Sequence, residues 1–387
     1  MKYSVRTCDQ HFADPGPKRI LTLDGGGLRG ILTLGILAQV EKELGERHGN
    51  HEGFRLCHYF DLIAGTSTGA IIAAGLALGM SVEELTKKYF DLGAKVFRRS
   101  LLRQGLFRAK YDEAQLIAEL QAVFGPDTTL GGSALQTGLM VMVKRLDSGS
   151  PWPVSNNPQG KYFKSRPGGT IGNGDYKLWQ AVRASTAAPD YFEPERITVV
   201  SMPNHKPITG DFVDGGVSPF NNPALQAFMY ATLSGYRVNW ETGANQLLLV
   251  SIGTGTPDAS VRRTEIAAAH AFRSLLSLMD DCASLQETML QWMSASPTAR
   301  RIDSELDTLD GDIIGGGAAL LSYIRYDCHL DHATVESLLG DKATSIAIDD
   351  LSAMDSPDNM DTLFDLGVLT GRRTCEPAHF PKAFDLK

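Results

Sequence analysis

Apolar and polar positions fall along the chain in blocks that read as strand, glycine-rich turn and helix. Residues 19–23 (RILTL) predict a short strand running into Asp24-Gly25-Gly26-Gly27-Leu28-Arg29-Gly30. A helix follows over 31–47, with apolar residues at 31, 34, 37 and 40 on one face. The next block repeats this order: a buried strand over 60–64, a sharp turn at Gly65-Thr66-Ser67-Thr68-Gly69, and a small-residue helix over 70–78. Ser81 with Glu84 three residues on predicts a capping box that starts a helix to about residue 92.

Further along, 139–143 (LMVMV), 197–202 and 246–252 (QLLLVSI) predict strands, and 111–123, 177–185 and 221–230 helices. The stretch 147–174 is rich in Pro, Gly, Asn and Ser and predicts a long loop on a rim or lid. Asp214 ends a short β run and is followed by Gly215 and Gly216. Gly253-Thr254-Gly255-Thr256-Pro257 reads as a plain structural turn, since no lysine follows as a phosphate loop requires. A helical stretch over 265–294 carries Leu275, Met279, Cys282, Leu285, Met289 and Trp292 at three-to-four spacing, read as a stripe facing the core. Beyond it lie a strand at 318–326 and acidic short helices such as 354–366. The elements divide the chain into a polar leader, 1–18, an α/β catalytic unit, 19–257, and a mainly helical C-terminal extension packed on it, 258–387.

Composition narrows the classes. With 43% hydrophobic and 21% charged residues in 387, the chain has the makings of an ordinary globular core. A net charge of −8 argues against a general nucleic-acid binder, whose phosphate contacts need a basic face. The five cysteines show no CxxC spacing, so neither a zinc site nor a disulfide framework is indicated and a cytoplasmic setting is expected. The first twenty residues lack the apolar run of a secretory signal, and 70–80 is too short to span a bilayer.

One segment reverses the local charge. Residues 95–110 hold six basic and no acidic side chains, interleaving Arg98, Arg99 and Arg103 with Phe97, Leu101, Leu102, Leu106 and Phe107. Two readings stand: a peripheral contact with anionic lipid at the inner membrane face, or a solvated connector whose apolar residues pack inward.

The chemistry concentrates at three strand ends. Ser67 on a strand-to-helix turn flanked by glycines has the setting of a nucleophile elbow. Alone, a GxSxG match is weak evidence, expected by chance in about one chain in four at this glycine content. The glycine-rich loop 24–30 also fits GxGxxG through Gly25, Gly27 and Gly30, but the acidic residue that would hold a ribose falls in the polar exit of the helix, so a dinucleotide site is not indicated. Its other use is to aim backbone N–H groups at an oxyanion. Asp214, opened by two glycines, supplies a third group on the same rim.

Together these stretches resemble the patatin-like phospholipases, a family of lipid acyl hydrolases. DGGGLRG (24–30), GTSTG (65–69) and DGG (214–216) appear in the family's order. The resemblance runs from about residue 19 to 255, including RASTAAPDYFEP and FVDGGVSPFNNP. It implies a three-layer α/β/α fold with a mostly parallel central sheet, a Ser-Asp dyad of Ser67 as nucleophile and Asp214 as base, and an oxyanion loop of Gly25, Gly26, Gly27, Leu28 and Arg29. It also implies a lipid or phospholipid ester substrate, with no cofactor and no metal. Chain order alone leaves open a triad of Ser67, Asp214 and one of His270, His329 or His332. A histidine base would give a pH inflection near 6.5, which the dyad need not show. A soluble short-chain esterase is the alternative activity. Some bacterial members of the family are nucleotide-activated effectors of antiviral defence, and the long tail leaves room for such control. The oligomeric state is not read from the sequence.

Overall fold

The computed structural model describes residues 3–49, 52–96, 113–189, 191–257, 267–309 and 311–387, and gives side chains for all of these but 267–276 and 349. The strands are β1 (Lys18–Leu23), β2 (Leu62–Thr66), β3 (Gly138–Arg145), β4 (Ser150–Ser155), β5 (Glu195–Val200), β6 (Ile208–Asp214), β7 (Leu247–Ile252), β8 (Thr256–Pro257), β9 (Ser294–Ala295), β10 (Leu321–Tyr326) and β11 (His329–Leu330). The helices are α1 (Cys8–Ala13), α2 (Gly30–Arg47), α3 (Leu56–Tyr59), α4 (Thr68–Ala77), α5 (Val82–Val96), α6 (Glu113–Phe124), α7 (Leu178–Ser185), α8 (Ala224–Thr232), α9 (Ala267–Met293), α10 (His332–Leu339) and α11 (Met360–Thr374).

The central sheet runs in the order β5-β6-β3-β2-β1-β7-β10-β9, with β4 paired to β3. From β3 through β9 all neighbours are parallel, whereas β4, β5 and β6 pair antiparallel. Alternate residues of each central strand enter opposite faces, as the two-residue period requires. Leu21, Leu23 and Ile63 join one core with α2, α4, α5 and α11, while Ile20, Leu62 and Ala64 join the other with α8 and α9. Both faces are therefore covered, which explains why these strands read as continuous apolar runs. The chain beyond Pro257 is part of this sheet, because β10 pairs with β7 and β9 with β10.

α11 docks on α2 through glycines. A Cβ on Gly367 would stand 2.2 Å from the Leu32 carbonyl, and one on Gly35 would stand 2.7 Å from the Phe364 carbonyl. The two backbones approach so closely that no side chain fits between them at these positions.

Several elements depart from the sequence reading. β4 occupies the stretch expected as loop. Its Pro151 and Pro153 mask a strand pattern, and a strand carrying proline is tolerated where it lies at an edge. Part of the stripe of α9 faces outward: Leu285 is 60% exposed and Trp292 42%, while Gln286, Leu290 and Met293 are buried, and Met279 of the same stripe lines cavities of the protein. Periodicity gave the apolar face of α9 but not the side its neighbours take. The inner face is partly polar because Gln286 donates to the Pro219 carbonyl and Glu287 pairs with Arg300 and Arg325. The basic segment with Phe97, Arg98, Arg99, Leu101, Leu102, Arg103, Leu106 and Phe107 lies outside the described residues, as does the side chain of His270.

The N-terminal segment is held to the sheet by a buried carboxylate. Asp61, fully buried, pairs with Arg6 at 2.7 Å and accepts from His11 Nδ1 at 3.0 Å and from Arg19 Nε at 3.0 Å. Burial alone would raise its pKa, but Arg19, the His11 hydrogen bond and Arg6 outweigh burial and hold it well below the usual carboxylate range. Removing that charge would leave two arginines with no buried counterion. Asp61→Asn is expected to cost about 3–5 kcal/mol of unfolding free energy in urea titration. A loss below about 1 kcal/mol would contradict this account of the cluster.

Candidate active site

The position of Ser67 follows from two glycines. It stands at the end of β2 with φ 55° and ψ −126°, a strained backbone for a non-glycine residue. A Cβ on Gly65 would lie 2.2 Å from the Gly69 carbonyl, and one on Gly69 2.3 Å from the Leu23 carbonyl. Both flanking positions are closed to any side chain, and the turn is as sharp as the sequence implies. The Ser67 N–H donates to Ser185 Oγ at 2.9 Å, and that hydroxyl donates to the Met142 carbonyl at 2.5 Å. α7 and β3 therefore pin the elbow.

β3 also brings the aspartate. β2 ends opposite Met142 on β3, and antiparallel β6 ends with Asp214 opposite Val143, the next position. β4 holds the other edge of β3, so β2 and β6 meet end to end along one edge. The sequence placed Asp214 at a strand end but gave no sign that its strand runs the other way. Ser67 Oγ donates to Asp214 Oδ2 at 2.6 Å, and the Gly216 N–H donates to Oδ1 at 2.7 Å. Asp214 is 4% exposed. Burial pushes its carboxyl up to about 6, and the hydrogen bonds from Ser67 and Gly216 and the charge of Arg183 pull the other way.

Among the described residues no histidine hydrogen-bonds to Ser67 or Asp214. His58 instead bonds to the Tyr3 hydroxyl at 3.0 Å, and His329 lines a separate cavity. An inflection near pH 6 is the behaviour this buried aspartate predicts, so the expectation that pH alone separates it from a histidine is revised.

The loop after β1 curls beside Ser67. Its carbonyls are turned away by partners from distant parts of the chain. Thr254 Oγ1 donates to Gly25 O at 3.1 Å, Asn221 Nδ2 to the same oxygen at 3.2 Å, and the Tyr89 hydroxyl to Gly27 O at 2.7 Å. Three loop N–H groups are already bonded: Gly25 to Asn221 O, Leu28 to Met354 O at 2.7 Å, and Arg29 to Gly26 O. The Arg29 guanidinium donates to the Gly255 carbonyl. Among the described residues the N–H groups of Gly26 and Gly27 make no hydrogen bond. Gly27 sits at φ +59°, and a Cβ there would meet the Met354 carbonyl at 2.2 Å.

A cavity of about 110 Å³ opens over Ser67 and Asp214, lined by Gly26, Gly27, Ile71, Leu92, Leu116, Tyr191, Phe192, Met279 and Met354. Its wall is almost wholly apolar. A second, polar cavity of about 660 Å³ lies on the other side of the loop and shares Asn221, Met279 and Met354 with the first. There Arg325 is bonded to Asp24 and Asp327, each at 2.7 Å. Among the described residues no group of three or more His, Cys, Asp or Glu is placed to hold a metal ion, and no helix is long and apolar enough to cross a membrane.

Sequence reasoning missed Tyr89, Asn221, Thr254 and Met354. Tyr89 reads as one more apolar position of α5, and Met354 acts through its backbone carbonyl, so neither leaves a residue-type signal.

Comparison with known proteins gives the family. A cGAMP-activated phospholipase of Escherichia coli is 32% identical over 65% of the chain and 66% of its own length. One of Vibrio cholerae is 25% identical over 87% of the chain and 88% of its own length. Patatin-15 of Solanum tuberosum is 29% identical over 61% of the chain and 60% of its own length. The chain thus matches just under two thirds of the E. coli protein and three fifths of the patatin. Among solved structures, human GIVD cytosolic phospholipase A2 overlaps with a TM-score of 0.42 at 12% identity, over 94% of the chain and 60% of its own. VipD from Legionella pneumophila gives 0.39 at 15%, over 91% and 67%. Likenesses this loose do not align side chain on side chain. The family model named patatin-like phospholipase matches residues 21–228, more than half of the chain and all of the elbow, glycine loop and Asp214. The chain belongs to the patatin-like phospholipase family.

Proposed function

We propose that the protein is a serine lipid acyl hydrolase that cleaves fatty-acyl esters through a Ser67–Asp214 dyad and an acyl-enzyme. The observation that carries this reading is the 2.6 Å hydrogen bond from Ser67 Oγ to a carboxylate buried beneath an apolar cavity. Asp214 accepts the Ser67 proton as Oγ attacks the ester carbonyl carbon. The N–H groups of Gly26 and Gly27 receive the oxyanion. As the tetrahedral adduct collapses, the alcohol leaves with the proton from Asp214 and the acyl group stays on Ser67. Water, deprotonated by Asp214, then releases the fatty acid. Ile71, Leu92 and Leu116 offer the acyl chain an apolar wall.

Burial is what makes the aspartate serviceable. At its ordinary pKa near 3.9 it would be a poor acceptor, and a value about 6 narrows the gap to a serine hydroxyl.

A second reading rests on the relatives. Two matches are named cGAMP-activated phospholipases, and the V. cholerae match reaches far beyond the family's core segment. We propose that this chain, too, answers to a signalling nucleotide, as an effector of antiviral defence. The polar cavity supports the idea, since it adjoins the glycine loop through Asn221 and Met354.

Ser67→Ala and Asp214→Asn are each expected to lower hydrolysis of short p-nitrophenyl esters and of phospholipid vesicles by at least about 1,000-fold, with unchanged circular dichroism. Near-normal turnover by Asp214→Asn would rule out the dyad. For the wild type, kcat/KM should be level above about pH 7 and fall roughly tenfold per unit below about 6, as Asp214 takes up its proton. A flat profile between about pH 5 and 8 would contradict a base of this kind. For the second reading, cGAMP added to purified protein should raise vesicle hydrolysis by at least about tenfold, a modest coupling free energy. Full activity without nucleotide would remove it.

A further inference from the structure

The outward stripe of α9 has a regular spacing. Leu278, Leu285 and Trp292 recur every seven residues, and Cys282 and Met289 stand three before Leu285 and Trp292. These are the d and a positions of a heptad, the spacing with which one helix seats on another. Leu278 is 58% exposed, Leu285 60%, Trp292 42% and Met289 36%. A single exposed leucine is ordinary, but four large apolar side chains in one seam are not. The seam is also not needed to hold α9 in place, because Leu290 and Met293 on the opposite side are buried in the core beneath the sheet.

We infer that this seam pairs with the same helix of a second copy, antiparallel, about a two-fold axis passing beside Leu285. Leu278 and Trp292 stand seven residues to either side of that residue, while Cys282 and Met289, three before it and four after it, fall out of step on reversal. Reversing one copy sets Leu285 on Leu285 and each Leu278 against the other copy's Trp292, a small side chain against a large one. A parallel pair would stack Trp292 on Trp292 and leave Leu278 facing Leu278. The antiparallel register also sets Asp281 beside Met289 of the other copy, away from its own counterpart. Charge disfavours a membrane as the occupant. Between 277 and 299 there is no lysine or arginine, whereas Asp280 and Asp281 are present, so anionic lipid would be repelled.

The four side chains expose roughly 400 Å² per copy, so the seam alone would bury roughly 800 Å², less than the ~1,200 Å² of a stable interface. A reversible, concentration-dependent dimer follows. Met279, on the same helix, lines both cavities, so pairing fixes a helix that borders the site.

Sedimentation velocity on the full chain tests this. From about 1 to 200 μM, a range suited to an interface of this size, the weight-average mass should rise from one chain toward two. Leu285→Glu should stay monomeric throughout and keep its short-ester hydrolysis at low concentration. In a Cys282→Ala background, mild oxidation should link Leu285→Cys to itself, and Leu278→Cys to Trp292→Cys when the two are mixed, but not Leu278→Cys to itself. A monomer at every concentration, or a dimer that survives Leu285→Glu, would overturn the proposal. Self-linking of Leu278→Cys would overturn its antiparallel register. A wild type that stays monomeric and loses vesicle binding only through Leu285→Glu would assign the seam to lipid instead.

Discussion

The site depends on one meeting of strand ends. β2 rises along an edge of β3 and stops at Thr66, and β6 descends the same edge and stops at Asp214. Because the two chain ends abut on a shared neighbour, the serine and the carboxylate face one another without a long side chain to bridge them. Burial of that junction has two effects. It excludes the water that would otherwise hydrate Asp214, and it raises the carboxyl toward neutrality, where its affinity for a proton suits exchange with an alcohol. The elbow is crowded from another side: a Cβ at Gly65 would meet Gly69 and one at Gly69 would meet Leu23 at the end of β1, and Ser67 is held at positive φ.

The glycine loop is the complementary half. A flexible run of three glycines would not by itself aim two N–H groups at one point. It is held by Tyr89 from α5, Asn221 ahead of α8, Thr254 after β7 and the Met354 carbonyl from the C-terminal region. Each of these takes up a carbonyl or an N–H that would compete with the two left open. Residues far beyond the family's core segment therefore hold the loop proposed to receive the oxyanion, which ties the C-terminal region to the site.

How much of this was legible in the sequence varied with the physics involved. The strand, turn and helix units at 19–47 and 60–78 were readable because apolar runs, punctuated by glycines that contact forbids to any other residue, leave few alternatives. Ser81 and Glu84 form the expected capping box, with the Ser81 N–H bonded to Glu84 and the Glu84 N–H to Ser81. β4 was not readable, because proline removes donors that only a central strand needs. The stripe of α9 was read as a core face, but from Leu285 on its large side chains lie outward, since periodicity says which residues line up and not what lies opposite them. Tyr89 and Met354 were invisible because they act on the loop by hydrogen bonds that many residue types provide.

The central claim is that Asp214, and not a histidine, makes Ser67 nucleophilic. The most direct measurement is the rate at which a fluorophosphonate labels Ser67, followed by intact-mass spectrometry in the wild type and in Asp214→Asn. The account predicts single labelling at Ser67 in the wild type and labelling slowed by at least about 100-fold in Asp214→Asn, an isosteric change that keeps the packing. Labelling of Asp214→Asn at the wild-type rate, or modification at a serine other than Ser67, would contradict it.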